Sequence, residues 1–374
     1  MRRRPRVPDA RRRFGVCMRI CATFLHIHPQ TMAEETVSDN QLADWRDRAR
    51  TFEQALKNAV VGQDRAIHLI TLAVFARGHV LLEGDVGVGK TTLLRAVARA
   101  IGGAYERIEG TVDLMPTDLV YYTYIGEDGR PRVDAGPILK HGAHLATFFF
   151  NEINRARPQV HSLLLRIMAE RSVNAFNREY QFPHLQVFAD RNRIEKEETF
   201  EISSAARDRF LMEIQIETPT DVAVQTDLMF NTRFHDGDAL ISEVPEAVMP
   251  YTELNGIGKL IQDSVGASPA LQDYAVRLWR ALRRPAEAGI RIEGIDTNRL
   301  VEAGASPRGM SLMLRAARVE AWLQGRTQMV PEDLHGALRE TVAHRVFLYP
   351  NYEMKRAEIV GALLDACRAQ IAAP

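Results

Sequence analysis

The chain predicts a three-layer α/β domain built on a parallel sheet, followed by a smaller all-α domain. Three observations predict it. Short apolar runs, Gly78-His79-Val80-Leu81-Leu82, Leu145 through Phe150 and Gln186-Val187-Phe188-Ala189, have the composition of strands buried on both faces and are separated by segments with apolar residues three and four apart. A glycine-rich loop, Gly84 to Thr91, joins the first run directly to a helical pattern. Beyond Thr218-Pro219-Thr220 the strand-like runs stop and helical spacing takes over.

In chain order, Trp45 to Ala59 reads as a helix, Val60-Val61-Gly62-Gln63 interrupts it, and a second helix continues through Ala76. After the glycine-rich loop, Leu93, Leu94, Val97, Ala98 and Ile101 share a helical face that Gly102-Gly103 terminates. Tyr105 to Ile108 leads into the turn-rich stretch Asp113 to Asp118. Tyr121 to Ile125, running into Gly126-Glu127-Asp128-Gly129, then has the pattern of a hairpin. Pro158 to Arg171 is an amphipathic helix with Val160, Leu163, Leu164, Ile167 and Met168 inward, and Ser172 to Tyr180 is a second candidate hairpin. Helical spacing recurs at Leu260–Val265, Pro269–Arg283, Ser311–Gln324 and Pro331–Val342, the last opened by a proline and two acids as a helix N-terminus favours. The domains expected are residues 1–31 as a disordered Arg-rich extension, 32–220 as the α/β domain with inserted hairpins, and 221–374 as the helical domain.

The loop Gly84-Asp85-Val86-Gly87-Val88-Gly89-Lys90-Thr91 matches the pattern Gly, any four residues, Gly-Lys-Thr. Backbone N–H groups of Asp85, Val86, Gly87, Val88 and Gly89, continuing through Lys90, Thr91 and Thr92 at the helix start, are placed to cradle the phosphates of a nucleoside triphosphate. Lys90 supplies a positive charge and Thr91 a hydroxyl for Mg²⁺. No Asn-Lys-any-Asp guanine motif occurs, so the expected ligand is ATP with Mg rather than GTP.

The 374 residues are 46% apolar and 26% charged, contain no apolar run of membrane-spanning length, and balance 48 Lys and Arg against 48 Asp and Glu. Eight arginines and one acid, Asp9, fall in residues 1–31, so the remainder holds 40 basic and 47 acidic residues. A body of net charge −7 disfavours a nonspecific nucleic-acid surface. Cys17 and Cys21 belong to the Arg-rich stretch, which leaves Cys367 alone in the body. A single thiol builds neither a disulfide framework nor a metal cluster, and a cytoplasmic protein is expected.

The strand ending Phe148-Phe149-Phe150 runs into Asn151-Glu152, where phosphoanhydride hydrolysis needs a group for the metal's hydration shell and a base for water. Glu152 is the candidate base. Asn151 offers an amide oxygen that accepts from metal-bound water but carries no charge, which predicts slow hydrolysis. Asn192, just past the Gln186–Ala189 strand, reads either as a bridge between γ-phosphate and water or as an ordinary turn residue. Arg209, before Phe210-Leu211-Met212, reads as an arginine reaching a neighbour's phosphate or as an ion-pair partner of Asp208 or Asp118. Arg308, after Pro307 at a helix start, reads as a nucleotide contact from the helical domain or as a solvated first-turn arginine.

With these pieces placed, the chain resembles the MoxR family of AAA+ ATPases from about Val60 to Val346. Val60-Val61-Gly62-Gln63 is similar to the family's segment beside the adenine, which implies that Val61 and Gly62 contact the nucleotide. Asn151-Glu152-Ile153-Asn154-Arg155-Ala156 is similar to Asp-Glu-Ile-Asn-Arg-Ala apart from its first residue. The resemblance implies a P-loop AAA+ core with a helical lid, Asn192 as sensor 1, Asp208-Arg209-Phe210 as the segment of the arginine finger, and Gly304-Ala305-Ser306-Pro307-Arg308 with Arg308 as sensor 2. It also implies an ATPase ring, commonly a hexamer in this superfamily, that remodels or activates a protein partner, with von Willebrand factor A domain proteins as the partner class. Two departures stand out: Asn151 replaces an acid, and Asp190-Arg191, Arg193 and Lys196-Glu197-Glu198 bring charge into a usually uncharged segment. The two hairpins read as pore-facing elements or as solvent-facing ribbons. An ATP-gated scaffold with little hydrolysis and a nucleic-acid motor of the same fold stay open as alternatives.

Overall fold

The computed structural model describes residues 29–192 and 200–374, with side chains from Asn40 onward. The Arg-rich stretch through residue 28, with Cys17 and Cys21, and the charged run 193–198 lie outside the described residues.

Helix α1 (Pro29–Ala59) begins well before the expected start at Trp45, and α2 (Asp64–Phe75) follows the Val60–Gln63 break. The core alternates β1 (His79–Gly84), α3 (Lys90–Ile101), β2 (Ala104–Glu109), the hairpin β3 (Tyr121–Ile125) and β4 (Pro131–Ala135), and β5 (Leu145–Asn151). It continues through α4 (Pro158–Glu170), the hairpin β6 (Ser172–Ala175) and β7 (Arg178–Gln181), β8 (Gln186–Arg191), the short α5 (Ser204–Arg207) and β9 (Phe210–Ile216). Five strands form one parallel sheet in the order β2-β5-β8-β1-β9. Strand β9 extends beyond the apolar run Phe210-Leu211-Met212: Glu213 and Gln215 break the hydrophobic pattern of Phe-Leu-Met-Glu-Ile-Gln-Ile, yet the strand pairs along the whole of β1.

The period of two along the strands sorts side chains into two layers. Val80, Leu82, Phe149, Phe188, Met212 and Ile214 pack with α2 and α3, whereas Leu81, Phe148, Phe150, Val187, Ala189 and Phe210 pack with Val160, Leu164 and Ile167 of α4. The first cluster runs on without a break into the helical region.

That region consists of α6 (Val222–Phe230), α7 (Gly237–Glu243), α8 (Leu254–Ser264), α9 (Pro269–Arg283), a small ladder of β10 (Val301–Ala303) with β11 (Phe347–Leu348), α10 (Pro307–Leu323), α11 (Pro331–Val342), α12 (Pro350–Glu353) and α13 (Arg356–Gln370). The chain between α7 and α8 holds to the α/β layer: the N–H groups of Ala247, Met249 and Tyr251 donate to the last carbonyls of α3, at Arg99, Ala100 and Ile101. At the other side Trp322 of α10 lies 4.7 Å, ring to ring, from Phe75 of α2 and donates its indole N–H to the carbonyl of Leu42. Buried Arg345, just past α11, binds the start of β9. No described helix is long and apolar enough to cross a membrane.

Candidate functional site

Strand β1 delivers the chain at the C-terminal edge of the sheet, where open α/β folds bind ligands. Gly87 and Gly89 adopt φ of 82° and 85°, a left-handed conformation that an L side chain resists, and this reverses the chain into α3. No side chain caps the first turn of α3, so its N–H groups face the loop. A Cβ built at Gly87 would meet nothing within 4 Å, and Asp85 Oδ1 is buried without a hydrogen-bond partner. Open cradle and uncapped amides fit an anionic ligand such as a nucleotide phosphate chain, and the unpartnered carboxylate oxygen fits a cation that accompanies it.

The ammonium of Lys90 is buried at the mouth of this loop. It donates to the carbonyls of Gly84 at 2.7 Å and Asp85 at 3.3 Å and to Asn192 Oδ1 at 2.6 Å, and stands 3.4 Å from Asp190 Oδ2. The Asn192 amide then donates to Glu152 Oε1 at 3.0 Å, and Arg155 donates to Glu152 Oε2 at 2.9 Å. Three segments expected separately from sequence, around Lys90, Glu152 and Asn192, therefore meet in one hydrogen-bonded chain. Thr91 and Thr92 occupy the next two positions of α3, half-buried.

Glu152 itself has φ of 51°, which costs a non-glycine residue on the order of 1 kcal/mol. Its N–H donates to Asp190 Oδ1 at 2.6 Å, an interaction that holds the turn in place. The preceding residue, Asn151, is buried and donates its amide to Glu109 Oε1. Gly110 after β2 is pressed against this turn: its N–H donates to the Asn151 carbonyl at 2.7 Å, and a Cβ there would lie 2.1 Å from the Glu152 carbonyl oxygen.

In the sequence Asp190 stands out only as an unusual charge. Its side chain is 2% exposed, and burial pushes its carboxyl above the ordinary range against the pull of the Glu152 N–H and Lys90. The signal that would have found it is positional: Asp190 continues the buried run of β8 in line with Asn151 at the end of β5. The Arg191 charge is spent on the opposite face, on Glu213 at 2.6 Å and Glu83 at 3.3 Å. Among the described residues no three His, Cys, Asp or Glu side chains converge to hold a metal alone.

Val60 flanks the loop, its Cγ1 3.8 Å from a Cβ built at Gly89, and Gly62 abuts Pro219. Gln63 donates to the Glu217 carbonyl at 2.7 Å, and a cleft of about 880 Å³ opens beside Gly62 and Gln63, lined also by Glu83, Arg191 and Glu213.

Arg209 and Arg308 lie elsewhere. Arg209 immediately precedes β9, and Arg308, in the first turn of α10, reaches Asp208 beside it; Phe210 pairs with His79 while Ile216 pairs with Gly84, so six residues, about 20 Å of strand, separate Arg209 from the level of the loop. Arg308 is 62% exposed with Nη1 3.7 Å from Asp208 Oδ2, and Arg209 donates to the Ala205 carbonyl at 2.7 Å. The structure does not bring Arg308 to the P-loop of its own chain, and Asp208 is its ion-pair partner. The first-turn alternative weighed from sequence thus has a geometric counterpart.

Comparison with known proteins agrees with this architecture. Residues 79–212 match the ATPase family associated with various cellular activities (AAA), and residues 295–363 match the AAA lid domain. The chain is 63% identical to Protein MoxR of Methylorubrum extorquens, covering 90% of this chain and 98% of that one, and 56% identical to Protein MoxR of Paracoccus denitrificans, covering 90% and 99%. It is 32% identical to Chaperone MoxR1 of Mycobacterium tuberculosis, covering 80% and 76%. Among solved structures, that of a putative ATPase from Cytophaga hutchinsonii superposes with a TM-score of 0.76 at 25% identity, over 90% of this chain and 98% of that one. A P-loop on a five-stranded parallel sheet, a helical lid and these relatives together establish that the chain belongs to the MoxR family of AAA+ ATPases.

Proposed function

We propose that this chain binds ATP with Mg²⁺ at the Gly84–Thr92 loop and hydrolyses it in a site completed by a neighbouring subunit. The observation that carries the reading is the connected set Lys90–Asn192–Glu152 at the mouth of an uncapped helix N-terminus. Glu152 is the proposed base that orients water, held by Asn192 on one oxygen and Arg155 on the other. Lys90, shared here among two carbonyls and Asn192, is the group that turns to the β- and γ-phosphates. Thr91 and Asn151 are the residues that would hold the metal's shell, and Val61 and Gly62 the adenine side. A bound magnesium ion supplies neutralisation of phosphate charge. An amide at 151 brings no charge of its own, so we propose slow turnover unless a neighbouring group supplies one.

Arg209, about 20 Å along β9 from its own loop, and Arg308, which reaches Asp208 beside it, suit a role on the next subunit's nucleotide. That requires a ring, for which a hexamer is proposed. Remodelling of a protein partner is the proposed role, supported by the likeness to a relative named as a chaperone; the cytoplasm is the proposed location and the von Willebrand factor A domain class the proposed partner. The hairpins β3–β4 and β6–β7 are the proposed contact surface: Tyr121 and Phe176 bring them together at 5.1 Å, and Tyr124, Ile125, Val133 and Phe176 are exposed.

Glu152→Gln tests the chemistry. It should keep ATP binding and lower turnover by on the order of a hundredfold. Unchanged turnover would remove Glu152 from the proposed role, and binding without measurable turnover in the unmodified protein would favour the ATP-gated scaffold.

A further inference from the structure

The two departures from the family pattern noted in the sequence, an amide where an acid is usual and an acid in a usually uncharged strand, lie side by side in the fold. Glu109 pairs with Asn151 between β2 and β5, and Asp190 pairs with Leu82 between β8 and β1. One step beyond the Phe150–Ala189 pair between β5 and β8, Asn151 and Asp190 are opposite each other. Glu109, Asn151 and Asp190 thus form one row across the end of the sheet. All three lie on the face shared by Leu82, Phe149 and Phe188, which is the face that carries α3 and the P-loop.

We propose that Asp190 supplies the negative charge toward the metal–nucleotide that residue 151 lacks, the acid having moved one strand over, from β5 to β8. The inference rests on the Mg²⁺–ATP reading above and deepens it.

Three observations carry it. Asp190 is 2% exposed and directed at the site: one oxygen takes the Glu152 N–H, the other stands 3.4 Å from Lys90. When Lys90 turns to phosphate, Asp190 loses its nearest cation among the described residues, and a buried carboxylate then requires another positive partner. Asn151 sits between two acids, donating its amide to Glu109. An aspartate there would make three carboxylates in a row on neighbouring strands, like charges placed directly side by side. The amide at 151 is therefore the residue compatible with an acid at 190, and the two departures form a single exchange. Arg191 takes no part in the exchange, because Glu213 and Glu83 engage it on the opposite face.

The test is a double-mutant cycle on the full chain. The affinity of a non-hydrolysable ATP analogue is measured by calorimetry with magnesium and with EDTA, and the ratio is the readout. Asp190→Asn keeps an acceptor for the Glu152 N–H and should reduce the magnesium enhancement by on the order of tenfold. Asn151→Asp alone should give no increase, and the exchange Asn151→Asp with Asp190→Asn should return the enhancement to within about threefold of the unmodified protein. Undiminished enhancement in Asp190→Asn, or failure of the exchange to restore it, would overturn the proposal. Circular dichroism checks folding. If Asp190→Asn does not fold, Asn151→Asp decides alone, and a gain in magnesium enhancement with Asp190 in place refutes the exchange. An unmodified protein whose analogue affinity ignores magnesium would overturn the Mg²⁺–ATP reading and this inference with it, whereas loss of the inference alone leaves that reading intact.

Discussion

Replacing Arg345 with methionine removes the main polar tie between the helical region and β9. The guanidinium is 2% exposed and donates to Asp208 Oδ1 at 3.1 Å, to the backbone carbonyls of Asp208 at 3.1 Å and Leu211 at 3.3 Å, and to those of Phe210 and Thr341. Burial pulls its pKa down to about 10, offset by Asp208, so it is charged at neutral pH. Methionine preserves most of the volume but leaves the Asp208 carboxylate, among the described residues, with Ser306 and Arg308, the latter 62% exposed. Asp208 is 25% exposed, so the cost falls mainly on the carbonyls of Phe210, Leu211 and Thr341, which lose their buried donor, together about 3–5 kcal/mol. For the compact unit Gln41–Pro374, an unfolding entropy of about 2.1 cal/mol/K per residue gives roughly 0.7 kcal/mol/K, so a loss of about 4 kcal/mol lowers the melting temperature by about 6 K. Arg345→Lys keeps the charge without the planar fork and should fall between the two. Differential scanning calorimetry measures this directly. A methionine variant melting within about 2 K of the unmodified protein would refute the assignment of Arg345 as the tie.

Lys90→Ala should abolish measurable ATP binding; because it also takes from buried Asp190 its ammonium partner, circular dichroism checks the fold while calorimetric titration reads the loss, and retained affinity would contradict the placement of the phosphate site. His68 joins three helices, 3.0 Å from Glu53 of α1 and 2.6 Å from Glu320 of α10. Burial alone would lower its pKa, but hydrogen bonds and charge from Glu320 and Glu53 outweigh that and raise it from 6.5 to about 9. A folded-state value above the unfolded one means the stabilisation, at most about 3 kcal/mol, is complete below pH 6.5 and is lost as pH rises through about 9. Denaturant melts across that window should show the decline, and His68→Gln should flatten it.

Much of this was legible in the sequence because it rests on local chemistry. The P-loop is contiguous, its glycines are demanded by backbone geometry, and its flanking strand and helix carry the right periods. Helices α9 and α11 begin and end where Pro269, Arg283, Pro331 and Val342 place them. What escaped the reading depends on contacts between distant segments. Strand β9 hides because Glu213 is a half-buried acid paired with Arg191, so its charge breaks the apolar pattern without exposing the strand. Helix α13 shows a weak amphipathic pattern and declares itself only through packing of Ile359, Val360, Leu363 and Leu364. Asp190 looked like an anomaly until strand order set it beside Asn151. The distance between Arg209 and its own P-loop follows from the register of β9 on β1, which no spacing in the sequence encodes.

The central claim is that the site is completed by a second subunit through Arg209. The direct measurement is ATPase rate per subunit against protein concentration, repeated with Arg209→Ala titrated into unmodified protein at fixed total. The account predicts a rate per subunit that rises with concentration and a mixture whose activity falls more steeply than simple dilution, because each variant subunit silences its neighbour's site. A rate independent of concentration, with activity falling only in proportion to the unmodified fraction, would contradict it.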